Sequence, residues 1–177
     1  IAEAAARASE LDLKRASDDP FFQSVTQLLV RLPLLARAPG FEAEMAELGL
    51  PPEALNSVTG LLAGLNAAIN QRAFDQDHSS DAGELARTAL LESLSVQLRD
   101  KLPTLFEPTP QEVRNALASF SGGQEFSTLA RDFFARLSYR SLDYYLSREL
   151  ADHIGADKRF GNDGDRVAFE TALRQHT

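Results

Sequence analysis

The chain has 177 residues, a net charge of −8 and no cysteine. That length suits one domain that buries about 70% of its unfolded surface, so a core needs no covalent staple. The missing cysteines exclude a disulfide framework, a thiolate zinc site and a thiol nucleophile.

Leu (27) and Ala (26) dominate the apolar residues, while Ile and Val together number 9. Unbranched side chains keep rotamer freedom in a helix, whereas β-branched ones favour strands. The expected fold is therefore all-α: a single-domain bundle of seven or eight helices with one long central helix, at about residues 124–154. The opening, IAEAAARASELDLKRAS, carries charges throughout and lacks the apolar stretch of a signal peptide, which fits a cytoplasmic location. Helical spacing over 1–17 places Ile1, Ala4, Ala8 and Leu11 on one stripe. Asp19-Pro20 pairs a capping residue with Pro at the first helical position and predicts a second helix over 20–32, broken by Pro33, in a segment ended by Pro39-Gly40. FEAEMAEL makes a short third helix that stops at Gly49.

Residues 52–73 carry the clearest period, with Leu55, Val58, Leu62, Leu65 and Ile69 stepping by three and four. Gly60 and Gly64 stand four apart on an adjacent face, which predicts close packing of another element there. A helix over 82–102 follows, with Leu91, Leu94, Leu98 and Leu102 in register. In TPQE, Thr109 caps, Pro110 takes the first position and Glu112 reaches back, a capping box. The helix it opens ends at SGG, 121–123. The long helix over 124–154 then places Phe126, Ala130, Phe133, Leu137 and Tyr144 near one face. The final DRVAFETALRQHT meets no stop signal before Thr177, so the chain is expected to be a fragment of a longer one.

Chemically, FDQDHSSD (74–81) is the densest stretch. Asp75, Asp77 and Asp81 alternate like the first oxygen ligands of a calcium loop, with His78 among them. The pattern fails at its sixth and twelfth positions, where Ser80 and Ala86 stand in place of Gly and Glu. The simpler expectation is a polar connector in which Asp81 caps the next helix and Glu84 supports it. The three histidines, His78, His153 and His176, are too scattered for a paired-ligand motif. SGGQE lacks the ending of a phosphate loop, so no cofactor is expected. GNDGD (161–165) reads as a turn into the last helix. No nucleophile motif occurs.

Residues 40–81 hold seven acids and one base, which accounts for −6 of the net charge. Such a surface repels nucleic acid and attracts a basic partner. Candidate partner-binding residues there are Glu42, Glu44 and Glu47. On the long helix they are Arg136, Arg140 and Asp143, which share a face. In that segment Arg140 is expected to pair with Asp143 or Tyr144, and Arg148 with Asp152. With little sign of catalytic apparatus, the expected function is a non-enzymatic protein-interaction module of a larger protein or assembly, with self-association open. The alternative is a metal-dependent enzyme or cation-regulated domain built on the Asp75–Asp81 loop.

Overall fold

The computed structural model describes residues 2–75, 79–102 and 107–151, together with 162, 164, 165, 167–169 and 171. Among these residues there are seven continuous α-helices and one short 3-10 helix, further helical residues at 164, 165, 167–169 and 171, and no strand. The α-helices are α1 (Ala2–Ala16), α2 (Pro20–Arg37), α3 (Phe41–Glu47), α4 (Val58–Asp75), α5 (Asp81–Lys101), α6 (Pro110–Ser119) and α7 (Gly123–Ala151). No helix among the described residues is long and apolar enough to cross a membrane. The segment 165–177 and all three histidines lie largely or wholly outside the described residues.

Local chemistry sets most helix starts. Asp19 accepts the Phe22 N–H at 2.7 Å, with Pro20 beside it, and opens α2. The capping box of α6 is complete: Thr109 N–H donates to Glu112 Oε2 at 2.7 Å, and Glu112 N–H donates back to Thr109 Oγ1 at 3.3 Å. Those Thr109 bonds, the backbone one first, hold the Glu112 carboxyl below its ordinary value. α3 ends where Gly49 adopts φ 87°, letting Leu50 N–H reach the Met45 carbonyl at 2.9 Å. That left-handed position suits glycine because a side chain there would be strained.

Two boundaries differ from the sequence reading, and each difference has a tertiary cause. Pro33 does not break α2, which runs through it to Arg37 and closes just before Pro39-Gly40, where the sequence places its end. A proline inside a helix costs about 3 kcal/mol through its lost bond and ring clash. Here Leu32, Pro33 and Ala36 are all buried, so packing holds the last turn in place. Arg114 of α6 adds to that, donating to the carbonyls of Ala36 at 3.0 Å and Ala38 at 2.7 Å. A cation at a helix C-terminus is favourable in itself. The same guanidinium lies 5.0 Å from the Phe41 ring centre and meets Glu42, so one side chain joins α2, α3 and α6.

The second difference is in 52–73, which is not one helix. Pro52–Asn56 forms the 3-10 helix, and Ser57 then breaks extended before α4, its hydroxyl accepting Gly60 N–H at 3.0 Å. The break lets Ala54 and Leu50 fold back onto Gly60 and Gly64. A Cβ at Gly60 would sit 2.9 Å from the Ala54 carbonyl, and one at Gly64 would sit 3.0 Å from Ala54 Cβ. The paired glycines thus serve close packing, as their spacing predicts. The buried face of α4 rotates accordingly, to Leu61, Leu65, Ala68, Ile69 and Ala73.

α5 packs against α1, α2, α4, α6 and α7 and has Leu90, Leu94 and Leu98 fully buried. It joins Phe21, Phe41, Phe120 and Phe133 in one continuous core. α7 is the longest helix described and contributes Leu129, Phe133 and Leu137 to that core. Part of its wide apolar surface stays in solvent, with Phe134 53% and Tyr139 46% exposed.

Candidate functional site

α5 and α7 run antiparallel, because their cross-links step in opposite chain directions. Lys101 meets Glu125 at 2.7 Å, Glu92 meets Arg136 and Arg140, and Asp81 meets Tyr144. Near the α5 N-terminus the two helices leave an open groove of about 660 Å3, lined by Leu85, Tyr139, Arg140, Asp143, Tyr144, Ser147 and Arg148.

A stripe at four-residue spacing along α7, Arg136, Arg140, Tyr144 and Arg148, runs into the groove, and its last three residues line one wall. Arg136 donates to Asp132 at 2.8 Å and reaches Glu92 at 3.6 Å. Partial burial pushes Asp132 up, but the Arg136 hydrogen bond, the Ser93 hydroxyl and the Arg136 charge outweigh it and hold the carboxyl below its ordinary value. Arg140 Nε donates to Glu92 Oε2 at 3.2 Å, with a second bond from Nη2 to Oε1. The sequence reading placed the Arg140 partner on its own helix. A carboxylate of α5 meets Arg140 as well, because the antiparallel pairing brings Glu92 between two arginines. Arg148 Nη1 donates to the Tyr144 hydroxyl at 3.0 Å, and its guanidinium lies 5.4 Å from that ring centre. Its expected partner Asp152 lies outside the described residues.

Tyr144 in turn donates to Asp81 Oδ2. That bond first, and partial burial second, raise the Tyr144 phenol above its ordinary value, with Arg148 acting against them. The Tyr144 hydroxyl likewise holds Arg148 more firmly protonated. Both displaced groups of the groove therefore move away from neutrality.

The connector before α5 is only partly as expected. Ser80, not Asp81, caps α5, its hydroxyl accepting Gly83 N–H at 3.0 Å. Asp81 is left at the first helical position, where its charge suits the helix dipole and its carboxylate meets Tyr144. Glu84 does not reach back; it pairs with Arg87 at 2.5 Å. Of the proposed cation ligands, Asp75 ends α4 and accepts from Gln71 at 2.8 Å. Asp81 accepts from Tyr144, which lines the groove, and Asp77 and His78 lie outside the described residues. Among the described residues no cluster of three or more acids and histidines could hold a metal ion.

The acidic residues divide. Glu42 pairs with Arg114 at 3.3 Å, while Glu44 is half-buried in the first turn of α3. Glu47 is exposed and, with Asp75, edges a second, smaller groove of about 400 Å3 over Leu48, Ala67 and Ala68. Arg140 and Asp143 do come together, in the α5–α7 groove. Tyr139, Ser147 and Leu85 escape a sequence reading, although the 136, 140, 144, 148 spacing does mark their wall.

Comparison with known protein families, with curated proteins and with solved structures gives no match to this chain.

Proposed function

We propose that this chain is a non-enzymatic helical interaction module of a larger protein or multi-component assembly, taking a segment of a protein partner in the α5–α7 groove. The make-up of that groove carries the reading: two tyrosines and two arginines around one apolar residue, Leu85, on two packed helices. Tyrosine and arginine supply a large share of the energy at protein interfaces, since each covers much area and still hydrogen-bonds. Tyr139 stands 46% exposed at the edge of the groove, where a partner would cover it. Proton transfer near neutral pH works best with a group that titrates nearby, and Tyr144 and Arg148 are displaced the other way.

The test is recovery of a stoichiometric partner from native cell extract at low salt. The double variant Tyr139→Ala/Arg148→Glu changes only exposed positions and leaves the fold standing. It is expected to lose the partner by at least about 2 kcal/mol, roughly thirtyfold in affinity. A Glu47→Lys control is expected to keep it. A partner held equally by the double variant would remove this groove from the reading.

A further inference from the structure

One half-buried charge in this fold lacks a counter-charge, and it sits at the meeting of two hollows. The half-buried arginines among the described residues are Arg72, Arg87, Arg114, Arg136 and Arg140. Four of them meet a carboxylate: Arg87 meets Glu84, Arg114 meets Glu42, Arg136 meets Asp132, and Arg140 meets Glu92. Arg72, in the last turn of α4, meets none, and no acceptor among the described residues takes any of its N–H groups. Taking a guanidinium partly out of water costs free energy that a carboxylate ordinarily offsets. The dipole at the end of α4 favours the charge without accepting a bond from it.

The first hollow is the groove of about 400 Å3, with Leu48, Ala67 and Ala68 beneath it and the exposed Glu47, Gln71 and Asp75 at its edge. The second is a narrow apolar slot of about 10 Å3, which shares Leu48, Ala68 and Arg72 with the groove and is lined also by Leu28, Leu50, Leu65 and Ile69. That is room for one methyl group or one water, and carbon walls favour the methyl. Each kind of surface takes a different group. The planar fork of Arg72 matches a carboxylate through two parallel bonds. Glu47 and Asp75 attract an ammonium, and the apolar floor takes hydrocarbon. The two acids also repel a doubly charged anion such as phosphate, whereas a carboxylate that brings its own cation is accepted.

We infer that this groove binds a free α-amino acid with an apolar side chain. Its carboxylate sits on Arg72, its ammonium faces Glu47 and Asp75, and its side chain lies over Leu48 and Ala68 with a terminal methyl in the slot. Charge complementarity selects this occupant. A hydrocarbon acid leaves the two carboxylates unanswered, and a hydrocarbon amine leaves Arg72 unanswered. The inference uses no residue of the α5–α7 groove and stands without it.

L-leucine and two analogues that each lack one of its charges test it. Isocaproate keeps the carboxylate, and isoamylamine keeps the ammonium. Each is titrated into the full chain and followed by NMR at the backbone amides of Gly49 and Ala68, which line the groove. The expected result is saturable binding of L-leucine with a Kd of about 1 mM, each analogue being weaker by at least about tenfold. Arg72→Met keeps the aliphatic stem and removes the guanidinium, and it is expected to weaken L-leucine by at least about tenfold. If Arg72→Met does not fold, Arg72→Lys, which keeps the charge and loses the fork, is read in the same way. No shift at about 50 mM L-leucine, either analogue binding as tightly as L-leucine, or undiminished affinity in the Arg72 variant would overturn the inference.

Discussion

α5 and α1 are both alanine-containing helices with charged residues along their length, yet the fold treats them oppositely. α5 offers small residues at one end (Ala82, Gly83, Ala86) and leucines at the other (Leu90, Leu94, Leu98), all buried. The small end lets α2 approach until Phe21 covers Gly83, and the leucine end fills the middle of the bundle. α1 offers Ser9, bonded to the buried Ser141 of α7, a buried Ala16, and Leu13 packed against the core from outside, so it docks at the core's edge with a polar pair in its seam. Helix propensity is much the same for both. Position is decided by what each face presents: dry area and shape in one case, paired polar groups in the other.

The sharpest way to break this comparison is at Gly83. A Cβ there would lie 2.1 Å from the Phe21 ring, and Phe21 is only 1% exposed and has little room to move. Gly83→Ala is expected to cost about 1–3 kcal/mol, seen as a lower urea midpoint at unchanged slope. Gly123→Ala, with nothing within 4 Å of its Cβ, is expected to be neutral or stabilising by up to about 1 kcal/mol. Equal stability of the two variants would mean that α2 and α5 are not packed tightly here.

A smaller effect is expected at the α1 seat. Ser9→Ala alone leaves the Ser141 hydroxyl buried without its partner, at about 1 kcal/mol, and Ser9→Ala/Ser141→Ala together should recover most of that. A double variant as unstable as the sum of the singles would show that packing, not hydroxyl pairing, holds α1.

The mildest perturbation is alkaline. Burial first, and the hydrogen bond to Asp12 second, push the Tyr145 phenol up from 10.0 to about 12. A raised value means that the folded chain holds its proton after the unfolded chain has lost it. Stability from Tyr145 is therefore complete below pH 10 and drains away as pH climbs from 10 to about 12. Melting temperatures across that window should fall, less steeply for Tyr145→Phe, and amide protection in α1 should fade before that in α5. Simultaneous loss in both helices would tie α1 to the core more firmly than its contacts suggest.

The same division explains how much was legible beforehand. Helices, their number and the caps at Asp19 and Thr109 depend on residues within four positions of one another, so the spacing of side chains is enough to read them. The glycine pair at 60 and 64 was legible too, since two missing side chains on one face imply a close neighbour. The site was legible only as Arg136, Arg140 and Asp143 on one face of the long helix. Glu92 could not be assigned to it, because nothing local tells a carboxylate 48 residues away which helix it will face. Asp81 and Ser80 compete for one capping role on equal local terms, and Tyr144 from α7 draws Asp81 elsewhere.

By itself, then, the sequence determined an all-helical chain, the places where most helices begin, and a core too rich in leucine and alanine to be anything else. Only the tertiary structure decided that α2 continues through Pro33, that 52–73 breaks at Ser57, which face of α7 stays in solvent, and that Ser9 of α1 meets Ser141 of α7. Caps and periodicity act over a single turn, whereas burial, ion pairing and hydrogen bonding between helices exist only once distant segments have met.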